Sequence, residues 1–237
     1  MKDTLGDRIK TFYEDTTRHF LTRRTYTLIR ADGKAFHTYT KDLKRPFDDE
    51  FMKNMDETAE FLCKNIMGAK FAFVQSDEIS ILLTDFEEIG TQAWFDGNIQ
   101  KIVSVAASMA TAKFNELRPG KIALFDARVF QIPQKIETEN YFIWRQQDTT
   151  RNSISSVARS LYSSKQLFGK KNEELQEMIF QKGSNWNDFA PRYKRGRLIE
   201  KQHYEKEGAI RSKWNCIDVP VFTQEREFLS KRIPDNK

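Results

Sequence analysis

Cysteine and histidine are scarce, with two of the first and three of the second among 237 residues. So few ligands of that kind argue against a structural zinc site. Cys63 and Cys216 both fall within apolar patterns, which suits buried thiols in a reducing compartment and not a disulfide framework. No apolar run approaches the ~20 residues needed to cross a bilayer. The opening stretch "MKDTLGDRIKTFYEDT" is charged where a secretory signal would be apolar. The expectation is a cytoplasmic protein without a membrane partner. Neither GxxxxGK[ST] nor GxGxxG occurs, so a nucleotide, if bound, must be held by other means. Repeats and low-complexity tracts are missing too, and no Pro/Gly/Ser-rich stretch marks a linker.

What is present reads as a folded domain. Hydrophobic residues make up 39% and charged residues 31%, and nineteen Phe argue for a well-filled interior. The length allows one large domain or two small ones. A net charge of +5 and a pI near 9.1 permit a polyanion partner without identifying one.

Leu5, Ile9, Phe12 and Tyr13 recur at helical spacing, which predicts an amphipathic helix over residues 5–20. "TYTLIRAD" (25–32), ending at Gly33, predicts a strand and a turn. Residues 48–67 open with acids, carry Phe51, Met52, Met55, Ala59, Leu62 and Ile66 on one face, and meet a stop at Gly68. "KFAFVQ" and "ISILL" predict a tight hairpin with Ser76, Asp77 and Glu78 at its tip. A helix from about Ile99 to the breaker at 118–120 and a strand in "KIALFDARVFQIP" complete a βαββαβ order. That order defines an α/β (α+β) fold of ferredoxin-like type, with both helices on one face of the sheet. Residues 1–135 form this unit. Residues 136–237 form a mixed extension packed on it, with helices over 138–163 and 172–182 and strands in "GRLIEKQHY" and "WNCIDVPVF".

Topology brings distant acids together. In this arrangement the C-terminal end of the first strand and the tip of the hairpin lie at the same edge, so Asp32 approaches Asp77 and Glu78. Alone, "ADGK" reads as a β-turn and "SDE" as a wet hairpin tip. Together they place like charges side by side, which is unfavourable unless a cation sits between them. Mg²⁺ suits such a site, since one or two carboxylates plus substrate phosphates often hold it.

Five segments in this order and spacing carry a family resemblance: "RADGKAFHTYT" (30–40), "FVQSDEIS" (73–80), "FDARVFQIP" (125–133), "WRQQDTTRNSI" (144–154) and "YKRGRLIEK" (193–201). Together they resemble the tRNA-histidine guanylyltransferase family, in particular its bacterial and archaeal guanylyltransferase-like branch. The resemblance implies a polymerase-palm domain that adds nucleotides to the 5′ end of tRNA, using two Mg²⁺ ions roughly 3.5–4 Å apart, with GTP or other NTPs and ATP as substrates. It implies metal ligation by Asp32, Asp77 and the Gly33 carbonyl, with Glu78 behind them or sharing a metal. It also implies a nucleotide loop of Gly33, Lys34, Ala35, Phe36 and His37, where Phe36 meets the base or sugar, helped by Arg45 and Ser76. Arg145, Gln146, Asp148, Arg151 and Asn152 are then a second nucleotide or 5′-end site. Lys182, Arg192, Lys194, Arg195 and Arg197 are tRNA contacts, for which a wet surface is the plainer alternative. A homotetramer is implied as well.

One departure bears on the task. The eukaryotic enzymes carry His-Ile-Asn-Asn where this chain has "TRNS" (150–153), so Thr150 stands at the histidine and only Asn152 is kept. That favours templated restoration of truncated tRNA over a single untemplated G. A palm-type nucleotidyl cyclase, or a tRNA-binding protein with an idle palm, would share parts of this pattern.

Overall fold

"KFAFVQ" and "ISILL" are continuous apolar runs where a half-buried strand would alternate, and the computed structural model shows why. Residues 4–236 are described. Strands β2 (Ala69–Gln75) and β3 (Glu78–Leu83) lie inside a six-stranded sheet covered on both faces, so every residue from Phe71 to Gln75 and from Glu78 to Leu83 is buried. With β1 (Tyr26–Gly33), β4 (Phe125–Ile132), β5 (Arg197–Lys206) and β6 (Ala209–Asp218), the order across the sheet is β4-β1-β3-β2-β5-β6. All the pairings are antiparallel. The first four strands give the ferredoxin-like arrangement, and β5 extends it from the β2 edge.

Alternation sorts the side chains. Ile29, Ala31, Ala72, Val74, Ile79 and Ile81 face α3 (Asp49–Asn65) and α4 (Ile99–Leu117), in a core closed by Met55, Ala59, Leu62, Ala106 and Phe114. Both helices start on side-chain caps: Asp48 accepts from Phe51 N–H at 2.8 Å and Asn98 from Lys101 N–H at 3.0 Å. After α3 the chain turns at Gly68 with φ +82°, where a Cβ would stand 2.6 Å from the Thr84 carbonyl oxygen. The opposite face carries Tyr26, Leu28, Phe71, Phe73 and Leu82, covered by α5 (Lys135–Leu161) through Tyr141, Phe142 and Ile143. The C-terminal segment joins that second core through Phe222, Leu229 and Ile233. At 27 residues, α5 runs for about 40 Å and reaches well past the sheet edge. Its far half packs against α7 (Asn172–Gln181) in a third cluster of Ile154, Val157, Leu175 and Ile179.

Two expectations need correction. The N-terminal segment is helical from Leu5 to Thr17, but as α1 (Leu5–Ile9) followed by a π turn and a 3₁₀ turn, and none of its residues is buried. Leu5, Phe12 and Tyr13 are 66%, 65% and 68% exposed, so the amphipathic face has no cover within the chain. The last strand begins at Ala209, five residues before "WNCIDVPVF", and Val219–Phe222 lie beyond its end. The outer part of the β5–β6 ribbon is wet on both faces, so it carries no alternation to read.

Candidate active site at the end of β1 and the hairpin tip

Register puts four polar side chains in one row across the sheet. Asp32 on β1 pairs with Glu78 on β3 and with Asp126 on β4, and Glu78 pairs with Gln75 on β2. All four share the parity of Tyr26 and Leu28, so they face the α5 side. The hairpin tip is tied to β1 by the Gly33 N–H, which donates to the Asp77 carbonyl at 3.1 Å. Ser76 turns the chain there with φ +44°. Asp32 and Asp77, 45 positions apart in the chain, thus stand at one edge, as topology predicts.

The electrostatics follow from crowding. The Asp77 carboxyl is pushed up to about 6, first by burial and then by the charge of Asp32. Asp32 is raised by burial, then by Glu78 and Asp126. Among the described residues neither carboxylate forms an ion pair with a basic side chain; nearby, Arg30 and Arg145 stand against Glu78 and Arg128 against Asp126. Arg145 grips Glu78 with both ends of its fork, Nε to Oε1 at 2.8 Å and Nη2 to Oε2 at 2.7 Å. Arg30 Nε stands 3.8 Å from the same carboxylate, and Gln75 and Ser80 also donate to it. Glu78 is therefore a buried, internally satisfied acid. Asp32 and Asp77 are the two open to a cation.

Among the described residues no three His, Cys, Asp or Glu side chains converge closely enough to hold a metal by themselves. A pair of carboxylates without a counter-charge, needing outside oxygens to complete the shell, is the donor set that fits Mg²⁺ and a phosphate chain.

The loop after β1 is built on Phe36. Ala35 adopts a left-handed conformation at φ 56° and starts the single turn α2 (Phe36–Tyr39). The Phe36 ring is 3% exposed and packs among Tyr39, Phe51, Phe114 and Phe125, with centroids 4.8 to 6.0 Å apart. A Cβ on residue 33 would lie 2.3 Å from that ring, which is why glycine stands there. The ring expected against a base or sugar is thus chiefly a core anchor beneath the loop. The Gly33 N–H is taken by Asp77, and that of Lys34 by the Leu124 carbonyl at 2.8 Å. Lys34, Ala35 and His37 are exposed.

A cleft of about 480 Å³ opens over the carboxylates, with His37 and Arg45 on one wall and Asp148, Asn152 and Arg159 of α5 on the other. A smaller chamber of about 190 Å³ adjoins it behind Arg45, sharing Gln75, Ser76 and Asn152 in its lining. Arg151 is exposed and pairs with Asp148 at 2.8 Å. Gln146 is buried and turned elsewhere, donating to the Pro220 carbonyl and accepting from Phe222 N–H, both at 2.8 Å.

The basic run does not form one surface stripe. Arg197 is 2% exposed and bonds Asp56 at 2.6 Å; Arg192 reaches the same carboxylate at 3.4 Å. Lys194 is buried, donates to the Asn187 carbonyl at 2.5 Å and lies 5.3 Å from the Trp186 ring centroid. Burial lowers its pKa. Only Lys182 is fully on the surface, and Arg192 and Arg195 are partly covered. A charge deep in the fold needs a partner there, and Asp56, 141 positions from Arg197, supplies one. Asp126 and Arg159 went unassigned in the sequence. Strand parity from Asp32 finds the first, and the helical spacing 145, 148, 152, 159 finds the second.

An antiparallel ferredoxin-like sheet with two uncompensated carboxylates at one edge, beneath a cleft that also carries Arg45 and Arg159, fits a palm-type nucleotidyltransferase, and its similarity to known proteins shows that class. The family model described as "Thg1: tRNAHis guanylyltransferase" matches residues 6–133. A bacterial tRNA(His) guanylyltransferase (Thg1)-like protein, solved in complex with ATP, superposes with a TM-score of 0.88 at 42% identity over 98% of this chain and 99% of that one. The tRNA(His) guanylyltransferase of Saccharomyces cerevisiae superposes at 0.68 with 25% identity, over 92% of this chain and all of that one. Among sequence relatives, the tRNA(His) guanylyltransferase of Debaryomyces hansenii is 26% identical over 219 residues, 82% of this chain and 81% of its own. The chain belongs to the tRNA(His) guanylyltransferase family.

Proposed function

We propose that the protein is a metal-dependent 3′–5′ nucleotidyltransferase that restores missing nucleotides at the 5′ end of tRNA by copying the opposing strand. The observation that carries this reading is the Asp32–Asp77 pair, two half-buried acids at one sheet edge that have no basic ion-pair partner among the described residues. Mg²⁺ held by Asp32, Asp77 and the Gly33 carbonyl would neutralise phosphate charge and activate an attacking hydroxyl. The chain's own residues do the rest. His37 and Arg45 face Asn152 and Arg159 across the cleft, spaced to receive a triphosphate or an RNA 5′-phosphate between them. With the Gly33 and Lys34 N–H groups spent inside the fold, backbone contacts to phosphate fall to the turn at Ala35–His37. The 3′-hydroxyl of the incoming nucleotide loses its proton and attacks the phosphorus bonded to the RNA 5′-oxygen, and the bond from that phosphorus to AMP or pyrophosphate breaks. AMP leaves after ATP has adenylylated a 5′-monophosphate; pyrophosphate leaves from a 5′-triphosphate. Watson–Crick pairing with the opposing strand selects the nucleotide.

Thr150 at the eukaryotic histidine position supports the templated task, as does the 42% identity to the bacterial guanylyltransferase-like protein across nearly the whole chain. The uncovered apolar face of Leu5, Phe12 and Tyr13 supports self-association into a tetramer. The division at residue 135 separates the palm from a portion that supplies the opposite cleft wall. Cys63 is buried as expected while Cys216, on the outer strand β6, is exposed; two thiols outside any disulfide are consistent with a cytoplasmic enzyme, and no helix among the described residues is long and apolar enough to cross a membrane.

The test is 5′ extension of labelled tRNA lacking its first nucleotide, with Mg²⁺, ATP and one NTP at a time. Incorporation of only the complementary nucleotide, lost in Asp77→Ala, is the expected result. Addition of G whatever the opposing base would assign the histidine-tRNA task instead. No extension, or release of cyclic nucleotide, would overturn the reading.

A further inference from the structure

Three side chains one helical turn apart on α5, Tyr141, Arg145 and Thr149, meet the sheet just behind the catalytic edge. Tyr141 OH and Ser80 Oγ are 2.8 Å apart, Arg145 holds both oxygens of Glu78, and Thr149 Oγ1 donates to Gln75 Oε1 at 2.6 Å. All of these contacts are buried. Gln75 and Glu78 are the residues on either side of Ser76 and Asp77, and Gln75 Nε2 closes the ring by donating to Glu78 Oε1 at 3.2 Å. The tip that carries Asp77 is therefore gripped from both flanks by one helix. Arg145 has little freedom left: Nη2 also bonds Asp148 at 3.0 Å, and the guanidinium lies 4.4 Å from the centroid of the Trp144 ring.

We propose that Arg145, seconded by Thr149, is a positioning residue for nucleotidyl transfer, fixing the hairpin tip and thus the Asp77 carboxylate relative to the cleft wall on α5. This rests on the function proposed above, and it goes further by giving Arg145 of the conspicuous "WRQQD" motif the work of an internal brace, while Asp148 of the same motif stays on the cleft wall. The same helix that carries Arg145 carries Asn152 and Arg159 into the cleft. Of the contacts that tie α5 to the sheet here, the bidentate pair is the one made to a residue adjoining Asp77, and it bears most directly on the gap between the carboxylates and the residues facing them. A buried ion pair costs much of its Coulombic gain in desolvation, and apolar replacements of like volume are often as stable. What an apolar pair cannot reproduce is the fixed two-point geometry of a guanidinium on a carboxylate.

The test compares wild type, Arg145→Lys, and the double variant Arg145→Met/Glu78→Gln, which removes both charges of the pair together; Asp148 keeps Arg151, and the amide oxygen introduced at position 78 remains as an acceptor near Arg30. Thermal midpoint, the dissociation constant of Mg²⁺·ATP without RNA, and kcat and KM for 5′ extension are measured on the full chain. The double variant is expected to melt close to wild type and to bind ATP within about threefold. Its kcat is expected to fall by about 100-fold, the cost of a small misplacement of reacting groups. Arg145→Lys is expected not to restore kcat, because an ammonium cannot make the paired contact. A double variant with near wild-type kcat overturns the positioning role. ATP affinity falling in step with kcat overturns it too, by making Arg145 a substrate ligand. So does a lower melting point with unchanged kcat per folded molecule, which would make the brace purely structural. A wild type that extends no RNA overturns both this role and the proposed function, so the two failures are distinguishable.

Discussion

Replacing Asp77 with Asn should stabilise the metal-free protein at neutral pH, and the size of the gain can be worked out from the site. In the folded chain the Asp77 proton leaves near pH 6, because burial and the neighbouring Asp32 disfavour the charge; its usual value is 3.8. Between those two pH values the native state keeps a proton that the unfolded chain has released. Stability therefore falls as pH rises through this window, and the whole penalty is present above about pH 6. At 1.36 kcal/mol for each pH unit the penalty is about 3 kcal/mol, of which water reaching the partly exposed carboxyl will remove some. Asn has the same shape and no charge to bury. Urea denaturation in EDTA, from pH 4 to pH 8, should show Asp77→Asn equal to wild type at the acid end and about 2–3 kcal/mol more stable at the neutral end. The same accounting predicts that binding of Mg²⁺ and nucleotide to wild type releases a proton at pH 5.5 and little at pH 7.5. A stability difference that stays flat across this range, or an Asn variant that is the weaker protein at pH 7.5, would refute the claim that these two acids sit uncompensated.

Arg197→Ala should strand the Asp56 carboxylate in the interior at a cost of about 3 kcal/mol, softened because Arg192 and the Cys216 thiol still reach it. Differential scanning fluorimetry should then show a drop of roughly 10 °C; an unchanged midpoint with weakened RNA binding would return Arg197 to the RNA surface. Lys182→Ala should leave stability within about 0.5 kcal/mol, since the side chain only overlies the Tyr162 ring. If Lys182 does meet a phosphate, filter binding across a salt series should show a log–log slope shallower by about 0.7–0.9. Gly33→Ala should push the Phe36 ring out of its aromatic cluster, costing about 1–3 kcal/mol by chemical denaturation and lowering extension activity as well. An alanine variant with wild-type stability would show that the loop accommodates a Cβ by moving, and that the close approach is not a constraint.

Which parts of this protein can be read from its residues depends on whether the signal is local or relational. The palm strands and helices announce themselves through patterns a few residues long: acids at the start of α3, Asn98 capping α4, and unbroken apolar runs where β2 and β3 are covered on both sides. Asp32 and Asp77 were legible because topology is a strong constraint. Once the element order is known, the end of β1 and the tip of the next hairpin have to share an edge. The partner of a charge is a different kind of fact. In the sequence Arg145 looks like part of a polar helix face and Arg197 like one cation in a basic run, since Glu78 and Asp56 lie 67 and 141 positions away. Composition counts a charge without saying whether it is wet. The useful correction is to the reading of density. A dense polar run on a helix that must also cover an aromatic sheet face, as α5 does through Tyr141 and Phe142, cannot be a solvated face all round. Some of its polar residues have to be buried, and a buried polar residue needs a partner on the surface it covers. At the position where α5 passes over the sheet edge, the polar partners at hand on the covered face are Gln75, Glu78 and Ser80. A motif that reads as a second substrate contact is therefore also constrained to hold the sheet edge that carries Asp32 and Asp77.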